Sequence, residues 1–204
     1  MDIYNNAAVE AYSLKLITGP TVWVATPADI HANSQRPVQD SDEDDLITEW
    51  IKAATELIEQ LANRILLSQT WEYRLGRFPG VDCRNYGNGI LLPKGPWQSI
   101  TSVKYYAADG TDTTIASSEY LFDDASGWLT PVYAGTWPTA RYRTQAVRIR
   151  YLSGYGAAAT SVPFVLKNAV VMTVQDWLEN RHGRFEVPAG VKEKLDAYWP
   201  GTMI

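Results

Sequence analysis

The spacing of hydrophobic and polar positions changes twice along the chain. In residues 41–67 apolar side chains recur every three or four positions, which is the spacing of one helix face. No Gly or Pro interrupts this stretch, so it predicts a long amphipathic helix on which the rest of the fold is built. The predicted inner row consists of Leu46, Trp50, Ala54, Leu57, Leu61 and Ile65, with Ile47, Ile51 and Ile58 as a flanking row.

Acidic residues crowd the start of this helix. Ser41 is placed to cap it, and Asp44 follows three residues later as in a capping box. The helix macrodipole favours negative charge at this end. The residues from Asp40 onwards are also similar to the first half of a calcium loop. Counted from Asp40, however, the sixth position is Asp45 rather than Gly and the twelfth is Ile51 rather than Glu. Capping therefore explains these acids better than calcium binding.

Two short elements are predicted upstream of the long helix. Residues 14–20 have the pattern of a strand that ends at Gly-Pro. Thr26 is followed by Pro27 at the first helical position and by Asp29 three residues after the cap, which predicts a short helix. Asn33 and the residues after it, including Pro37, should end that helix early.

After residue 67 the pattern alternates, which is the period of strands. Trp71, Tyr73 and Leu75 share one side of the first strand. Asp109-Gly110 is a strong hairpin turn after the strand at 100–107. An antiparallel meander is therefore predicted. Its further strands are expected at 90–92, 119–122, 128–132 and 146–152.

Helical spacing returns near the end of the chain. A helix over 163–182 is predicted to begin at Pro163 and to pack on the 41–67 helix, and a last helix over 191–199 is expected to bury Val191, Leu195 and Tyr198. The fold class is thus α+β, with a helical core (1–68 and 157–204) and an inserted β-rich subdomain (69–156). The inner row of the first of these helices is Leu166, Val170, Val174, Trp177 and Leu178.

Composition narrows the function classes. A formal net charge of −5 and a pI near 5.0 argue against a protein whose main task is to grip nucleic acid. No apolar stretch is long enough for a membrane span and no export signal is recognisable, so we expect no membrane partner. The single cysteine, Cys83, excludes an internal disulfide framework and has the setting of an idle thiol.

Candidate chemistry is sparse. His31 and His182 are the only histidines, and Glu179 beside His182 lies at a helix end where capping accounts for the pair. Asp123 and Asp124 are neighbours whose side chains point to opposite faces of a strand. Neither a phosphate-binding loop nor a nucleophile elbow occurs. We therefore predict no catalytic residue, no cofactor and no metal, and a protein that is not an enzyme.

Three segments carry a resemblance to a known family. They are LxxxTWEYRLxxFPG at 66–80, PxxSITSVxYxxADG at 96–110 and RxRYxxGYG at 148–156. With the order of the predicted elements, they resemble the head-to-tail connector family of tailed bacteriophages and gene transfer agents, also called head-completion adaptors. The resemblance spans residues 14–198, departing in the interrupted helix after Thr26 and in a longer N-terminal arm. These segments contain packing and turn residues rather than a catalytic motif.

The resemblance implies a structural role. Proteins of this family form a ring, usually a dodecamer, beneath the portal; the ring extends the DNA channel and offers a platform for a stopper or tail-completion protein. The chain would then be made in the bacterial cytoplasm and reside in the neck of the virion, with DNA passing through without sequence-specific binding. An acidic channel would also repel the DNA backbone and let the genome slide.

The resemblance also suggests contact residues. The C-terminal region commonly reaches the portal, although Tyr198 and Trp199 could instead pack the last helix down. The acidic end of the long helix is the expected inter-subunit face. The candidate portal contacts are Tyr198, Trp199, Pro200, Met203 and Ile204, and the candidate inter-subunit residues are Asp42, Glu43, Asp44, Asp45 and Glu49.

Three other interpretations are open from the sequence. The eight Trp and twelve Tyr residues could serve a carbohydrate- or ligand-binding β module, which a flat row of exposed rings would support. An enzyme would show a deep polar pocket with perturbed carboxylates. Within the structural class, a stopper or tail-terminator subunit is the alternative to an adaptor.

Overall fold

A computed structural model describes residues 13–33, 43–80, 88–180 and 185–198. The predicted α+β class is confirmed, because helices and antiparallel sheets both occur in these ranges. The chain divides into two compact units. The sheet unit comprises residues 1–19 and 69–153, and the helical unit comprises residues 20–68 and 154–204.

The helical unit begins with the predicted capping box. The backbone N–H of Thr26 donates to Asp29 Oδ2 at 2.8 Å, and the backbone N–H of Asp29 donates to Thr26 Oγ1 at 3.3 Å. This exchange starts the first helix at Pro27, as predicted. The four helices are α1 (Pro27–Asn33), α2 (Asp44–Ala62), α3 (Phe164–Glu179) and α4 (Ala189–Tyr198).

Helix α2 is shorter than the prediction of 41–67. It ends because Asn63 adopts the left-handed conformation, with φ of 48° and ψ of 39°. Beyond this turn the carboxylate of Glu59 accepts a hydrogen bond from the backbone N–H of Leu66 at 2.8 Å. The residue before the helix, Glu43, makes no side-chain capping bond, and the predicted cap Ser41 lies outside the described residues. The helix is about 28 Å long.

The buried face of α2 differs from the predicted inner row. Ile47, Ile51 and Ile58, the flanking row of the prediction, are buried together with Ala54. In contrast, Leu46 is 42% exposed and Leu61 is 51% exposed. The prediction is therefore wrong for these two leucines, since two adjacent apolar rows both have helical spacing and the packing of α3 selects the second.

Helices α2 and α3 pack together as predicted. The predicted inner row of α3 is entirely buried and shares one core with the isoleucines of α2. Trp177 is 2% exposed, and its indole N–H donates to the backbone carbonyl of Glu186 at 2.9 Å. On α4, Val191 and Leu195 are buried in the same core, whereas the side chain of Tyr198 lies outside the described residues.

The sheet unit contains two antiparallel sheets rather than a simple meander. The five-stranded sheet has the order β1-β2-β8-β4-β5, and the three-stranded sheet has the order β3-β7-β6. Strand β8 lies between β2 and β4, far from both in sequence. The strands are β1 (Ser13–Thr18), β2 (Gln69–Leu75), β3 (Ile90–Leu91), β4 (Trp97–Tyr106), β5 (Asp112–Ile115), β6 (Tyr120–Asp123), β7 (Trp128–Pro131) and β8 (Val147–Ser153).

The chain passes between the two units at 19/20, 68/69 and 153/154, whereas the prediction divided it at 68/69 and 156/157. Strand β1, which the prediction grouped with the helical core, pairs with β2, with Leu14 opposite Tyr73. Gly154 has a φ of +126°, and a Cβ there would lie 2.5 Å from the carbonyl oxygen of Leu67. Residues 154–156 therefore stay with the helical unit.

The strand predicted at 146–152 is β8, and its side chains alternate between buried and half-buried positions. Val147, Ile149 and Tyr151 are fully buried, and the hydroxyl of Tyr151 donates to the carbonyl of Pro93 at 2.7 Å. These side chains form the centre of the sheet-unit core. The intervening Arg148 and Arg150 lie on the opposite face of the strand.

Candidate interaction surfaces

The acidic start of α2 is partly engaged in contacts within the helical unit. Nε2 of His31 lies 2.8 Å from Oδ1 of Asp44, which ties α1 to α2. Glu49 is exposed and contacts Lys52, whose ammonium group lies 4.9 Å from the centroid of the Trp23 ring. Asp45 is exposed. Among the predicted inter-subunit residues Asp44 thus has a structural contact, and Asp42 lies outside the described residues.

The predicted portal contacts follow the last helix. Helix α4 ends at Tyr198, which is where the prediction placed its final buried residue. Trp199, Pro200, Met203 and Ile204 lie outside the described residues. Their role as contacts is still a prediction.

An ionic network lies on the polar face of the five-stranded sheet. Glu72 on β2 is 6% exposed and is directly opposite Arg150 on β8. Arg150 Nη2 donates to Glu72 Oε2 at 2.8 Å, and Arg74 Nε donates to Oε1 at 2.7 Å. One carboxylate thus pairs with two guanidinium groups.

This network sets the protonation of Glu72. Burial is the largest single effect and raises the pKa of its carboxyl, but the hydrogen bonds from Arg150 and Arg74 outweigh it and hold the pKa below its usual value. In the next row Arg74, Arg148 and Lys104 lie side by side on β2, β8 and β4. Arg148 contacts Asp112 on β5. On this polar face three arginines are therefore paired with carboxylates, while Lys15 and Lys104 lie beside them on β1 and β4.

Sequence patterns alone did not identify this network. Glu72 and Arg74 have the spacing of one strand face, but Arg150 is 78 residues away from Glu72. The register of β2 on β8 was needed to bring them together. The sequence signal for this network was the charged residue Glu72 within β2, a strand whose other residues are buried or half-buried.

The exposed aromatic rings do not support a carbohydrate platform. Tyr133 and Tyr142, which are 99% and 96% exposed, belong to connecting segments rather than to strands. Trp137 instead stacks on Phe78 with ring centroids 4.9 Å apart and donates its indole N–H to the carbonyl of Asn88 at 2.6 Å. In the described part of the sheet unit these rings thus form no flat exposed row.

The described residues contain no cluster of side chains typical of a metal centre. Within these ranges no three His, Cys, Asp or Glu side chains converge as a metal site requires. The lowered pKa of Glu72 has a structural cause in its two arginine partners. None of the helices in the described ranges has the length and apolar character needed to cross a membrane.

Charge is divided unequally between the two units. The helical unit has eight Lys and Arg against fourteen Asp and Glu, a formal charge of −6. The sheet unit has ten Lys and Arg against nine Asp and Glu, a formal charge of +1. The acidity of the chain is therefore a property of its helices.

Comparison with solved structures gives a consistent result. A chain of the virion of a native gene transfer agent particle matches with a TM-score of 0.73 and 21% identity, over 94% of this chain and 96% of that chain. A chain in the neck of an empty gene transfer agent particle, computed with C6 symmetry, matches with a TM-score of 0.72 and 22% identity, over 91% and 94% of the two chains. The fold is that of a gene transfer agent neck structure.

The same neck fold occurs in a third structure. A chain in the neck of a native gene transfer agent particle, computed with C12 symmetry, matches with a TM-score of 0.64 and 21% identity, again over 91% of this chain and 94% of that chain. No protein-family model matches this sequence, and no curated protein does. The resemblance inferred from the three sequence segments is thus confirmed at the level of the neck fold.

Proposed function

We propose that this chain is a structural subunit of the neck of a tailed phage or gene transfer agent particle. The observation that carries the proposal is the shared fold over more than nine-tenths of the chain with proteins of gene transfer agent virions and necks. Its role is that of a head-to-tail adaptor, a ring beneath the portal that extends the DNA channel and receives the stopper or tail-completion protein.

The ring is supported by the symmetry of the related particles. The two neck structures with this fold were computed with C6 and C12 symmetry. A dodecamer of this chain is consistent with both, because a twelvefold ring contains sixfold symmetry. Tyr198 and the segment after it are the proposed portal contacts.

The charge distribution suggests how DNA passes through such a ring. The proposed channel wall is built from the helical unit, whose formal charge is −6. Twelve such units around a channel would repel the phosphate backbone, so that the genome slides without being held. A channel lined mainly by Lys and Arg would contradict this part of the proposal.

Deletion of the gene tests the proposed function. In particles made without this protein, electron microscopy should show full or leaky heads without attached tails, and infectivity or gene transfer should be lost. The wild-type gene supplied in trans should restore tailed particles. Normal particles after deletion would contradict the proposal.

The adaptor and the alternative of a stopper or tail-terminator subunit differ in what the deletion leaves behind. For an adaptor, tail-less heads should also lack the stopper protein, whereas free tails should be complete. If the stopper stays on the heads, or if free tails lack their terminal ring, the chain belongs at a different level of the neck. Protein composition of the separated heads and tails provides this measurement.

A further inference from the structure

Helix α2 has a second apolar surface beside its buried face. Leu46, Trp50, Leu57 and Leu61 follow one another along one flank of the helix, and we call this row the α2 strip. Leu46 and Leu61 are exposed by 42% and 51%. Phe185, itself 52% exposed, extends the strip, because its ring centroid lies 5.8 Å from that of Trp50. Trp50 and Leu57 are half-buried against the core, so the exposed parts of the strip are Leu46, Leu61 and Phe185. Exposed apolar side chains that share one side of a helical unit indicate an interface.

A different apolar surface lies between α3 and α4. This α3/α4 groove has a volume of about 400 Å³. Phe164 stands at its edge with 77% of its surface exposed, and the Nζ atom of Lys194 lies 3.9 Å from the sulfur of Met172. The groove lining includes Phe164, Val165, Met172, Val191, Lys194 and Leu195.

The groove and the strip occupy different sides of the helical unit. At about 100° per residue, Phe164, Asn168 and Met172 of the groove lie nearly opposite the buried row of α3. That buried row includes Val170, which belongs to the core that α3 shares with α2. One copy of the helical unit therefore cannot close its own strip over its own groove.

We propose that the α2 strip of one copy docks in the α3/α4 groove of the next copy, head to tail around the ring. This inference rests on the proposed ring function and names the surfaces that build it. A cyclic ring larger than a dimer needs two different patches on each subunit, whereas a twofold dimer pairs one patch with itself. The helical unit presents two such patches, each apolar and on different sides.

Charge complementarity selects a second copy of this chain as the occupant. Exposed acids flank the strip on α2 at Asp45, Glu49 and Glu56. The charged residue that lines the groove is Lys194. A contact between the α2 strip and the α3/α4 groove brings opposite charges together, whereas a contact between two α2 strips would place acidic residues against acidic residues. The acidic residues predicted to form the inter-subunit face thus act as the rim of an apolar contact.

Complementary interface variants test the inference in the full-length chain. The strip variant carries Leu46→Asp and Leu61→Asp, and the groove variant carries Phe164→Asp. Because a charge at the centre of an apolar contact must be desolvated, each variant should self-associate at least about 100-fold more weakly than the wild type. Sedimentation velocity over a range of concentrations measures this, and circular dichroism verifies folding.

Mixing the variants gives the decisive result. A one-to-one mixture retains one intact interface, formed by the strip of the groove variant and the groove of the strip variant. It should therefore produce heterodimers and nothing larger. The control Leu121→Asp changes a leucine that is 58% exposed in the sheet unit, and it should assemble like the wild type.

Several outcomes would overturn the inference. They are wild-type assembly by either variant, a mixture that stays monomeric, and a wild-type chain that stays monomeric at its highest soluble concentration. None of these changes the expected deletion phenotype, so the interface can fail while the neck function stands. If the variants behave as expected but deletion leaves normal particles, the proposed function fails instead.

Discussion

Glu72 is the residue whose environment has the clearest energetic consequence. Its carboxylate is buried at a position where it accepts hydrogen bonds from Arg74 and Arg150. The side chain of Arg150 is 41% exposed, so solvent screens part of this attraction. Removal of the carboxylate nevertheless leaves Arg74 on β2 and Arg150 on β8 as diagonal neighbours without their shared anion, which is unfavourable.

We expect Glu72→Gln to lower the free energy of unfolding by about 1 to 3 kcal/mol at neutral pH. Because the pKa of Glu72 in the folded protein lies below its usual value of 4.5, its ion pairs stabilise the fold above that pH and the stabilisation is lost as the pH falls through the folded pKa. The difference between wild type and variant should therefore shrink in acid. Urea denaturation at a series of pH values measures it.

Glu119→Gln serves as the control, since Glu119 is exposed in the same unit. It should change stability by less than about 0.5 kcal/mol at every pH. A pH-independent loss in Glu72→Gln would show that packing, rather than the charge of the carboxylate, accounts for the effect.

At the scale of elements, local sequence signals predicted the start of α1 and the strand alternation of β8, but they did not predict which distant strands pair. Thr26 and Asp29 form their capping box within four residues, so the sequence contains the whole interaction. The alternation that buries Ile149 is likewise local to β8. The position of β8 between β2 and β4 depends on partners about 40 to 85 residues away, which periodicity does not encode.

Helix α2 shows the same limit in its choice of face. Both of its apolar rows have helical spacing, and only the packing of α3 decides which row is buried. This also explains why the strip was predicted as core and why no interface was predicted there. The sequence signal for an interface was the presence of two adjacent apolar rows on α2, because one helix face can be covered by the core while the other stays at the surface.

Neighbouring substitutions in α2 test this assignment. Ile47→Ala should lower the free energy of unfolding by about 2 to 5 kcal/mol, because it leaves a cavity in a fully buried position. Leu46→Ala, one residue earlier and 42% exposed, should cost less than about 1 kcal/mol. Chemical denaturation of dilute protein compares the two. Equal losses, or a larger loss at Leu46, would contradict the observed orientation of the helix.

For the whole molecule, the segregation of charge determines the expected behaviour towards DNA. The acidic helical unit should repel phosphate, and three arginines of the sheet unit, Arg74, Arg148 and Arg150, are engaged by Glu72 and Asp112. These three arginines are thus paired within the sheet unit. A neck component that allows DNA to pass would benefit from this arrangement.

We therefore expect the free chain not to retain duplex DNA at physiological salt. Glu72→Gln should increase DNA retention at low salt, because it releases Arg74 and Arg150 from their shared carboxylate. Filter binding with a duplex of mixed sequence measures both, with Glu119→Gln as the matched control. Tight binding by the wild-type chain would contradict the proposed repulsive channel.

The larger segment of the sheet unit, residues 69–153, begins and ends at neighbouring positions. Gln69 and Ser153 are register partners on β2 and β8, and within the helical unit the backbone N–H of Ser68 donates to the carbonyl of Gly156 at 2.9 Å. A short connection could therefore join Ser68 to Gly154 with little change in the helices. We expect shorter homologues to begin near Pro20 and to lack β1 together with residues 69–153, while keeping all four helices.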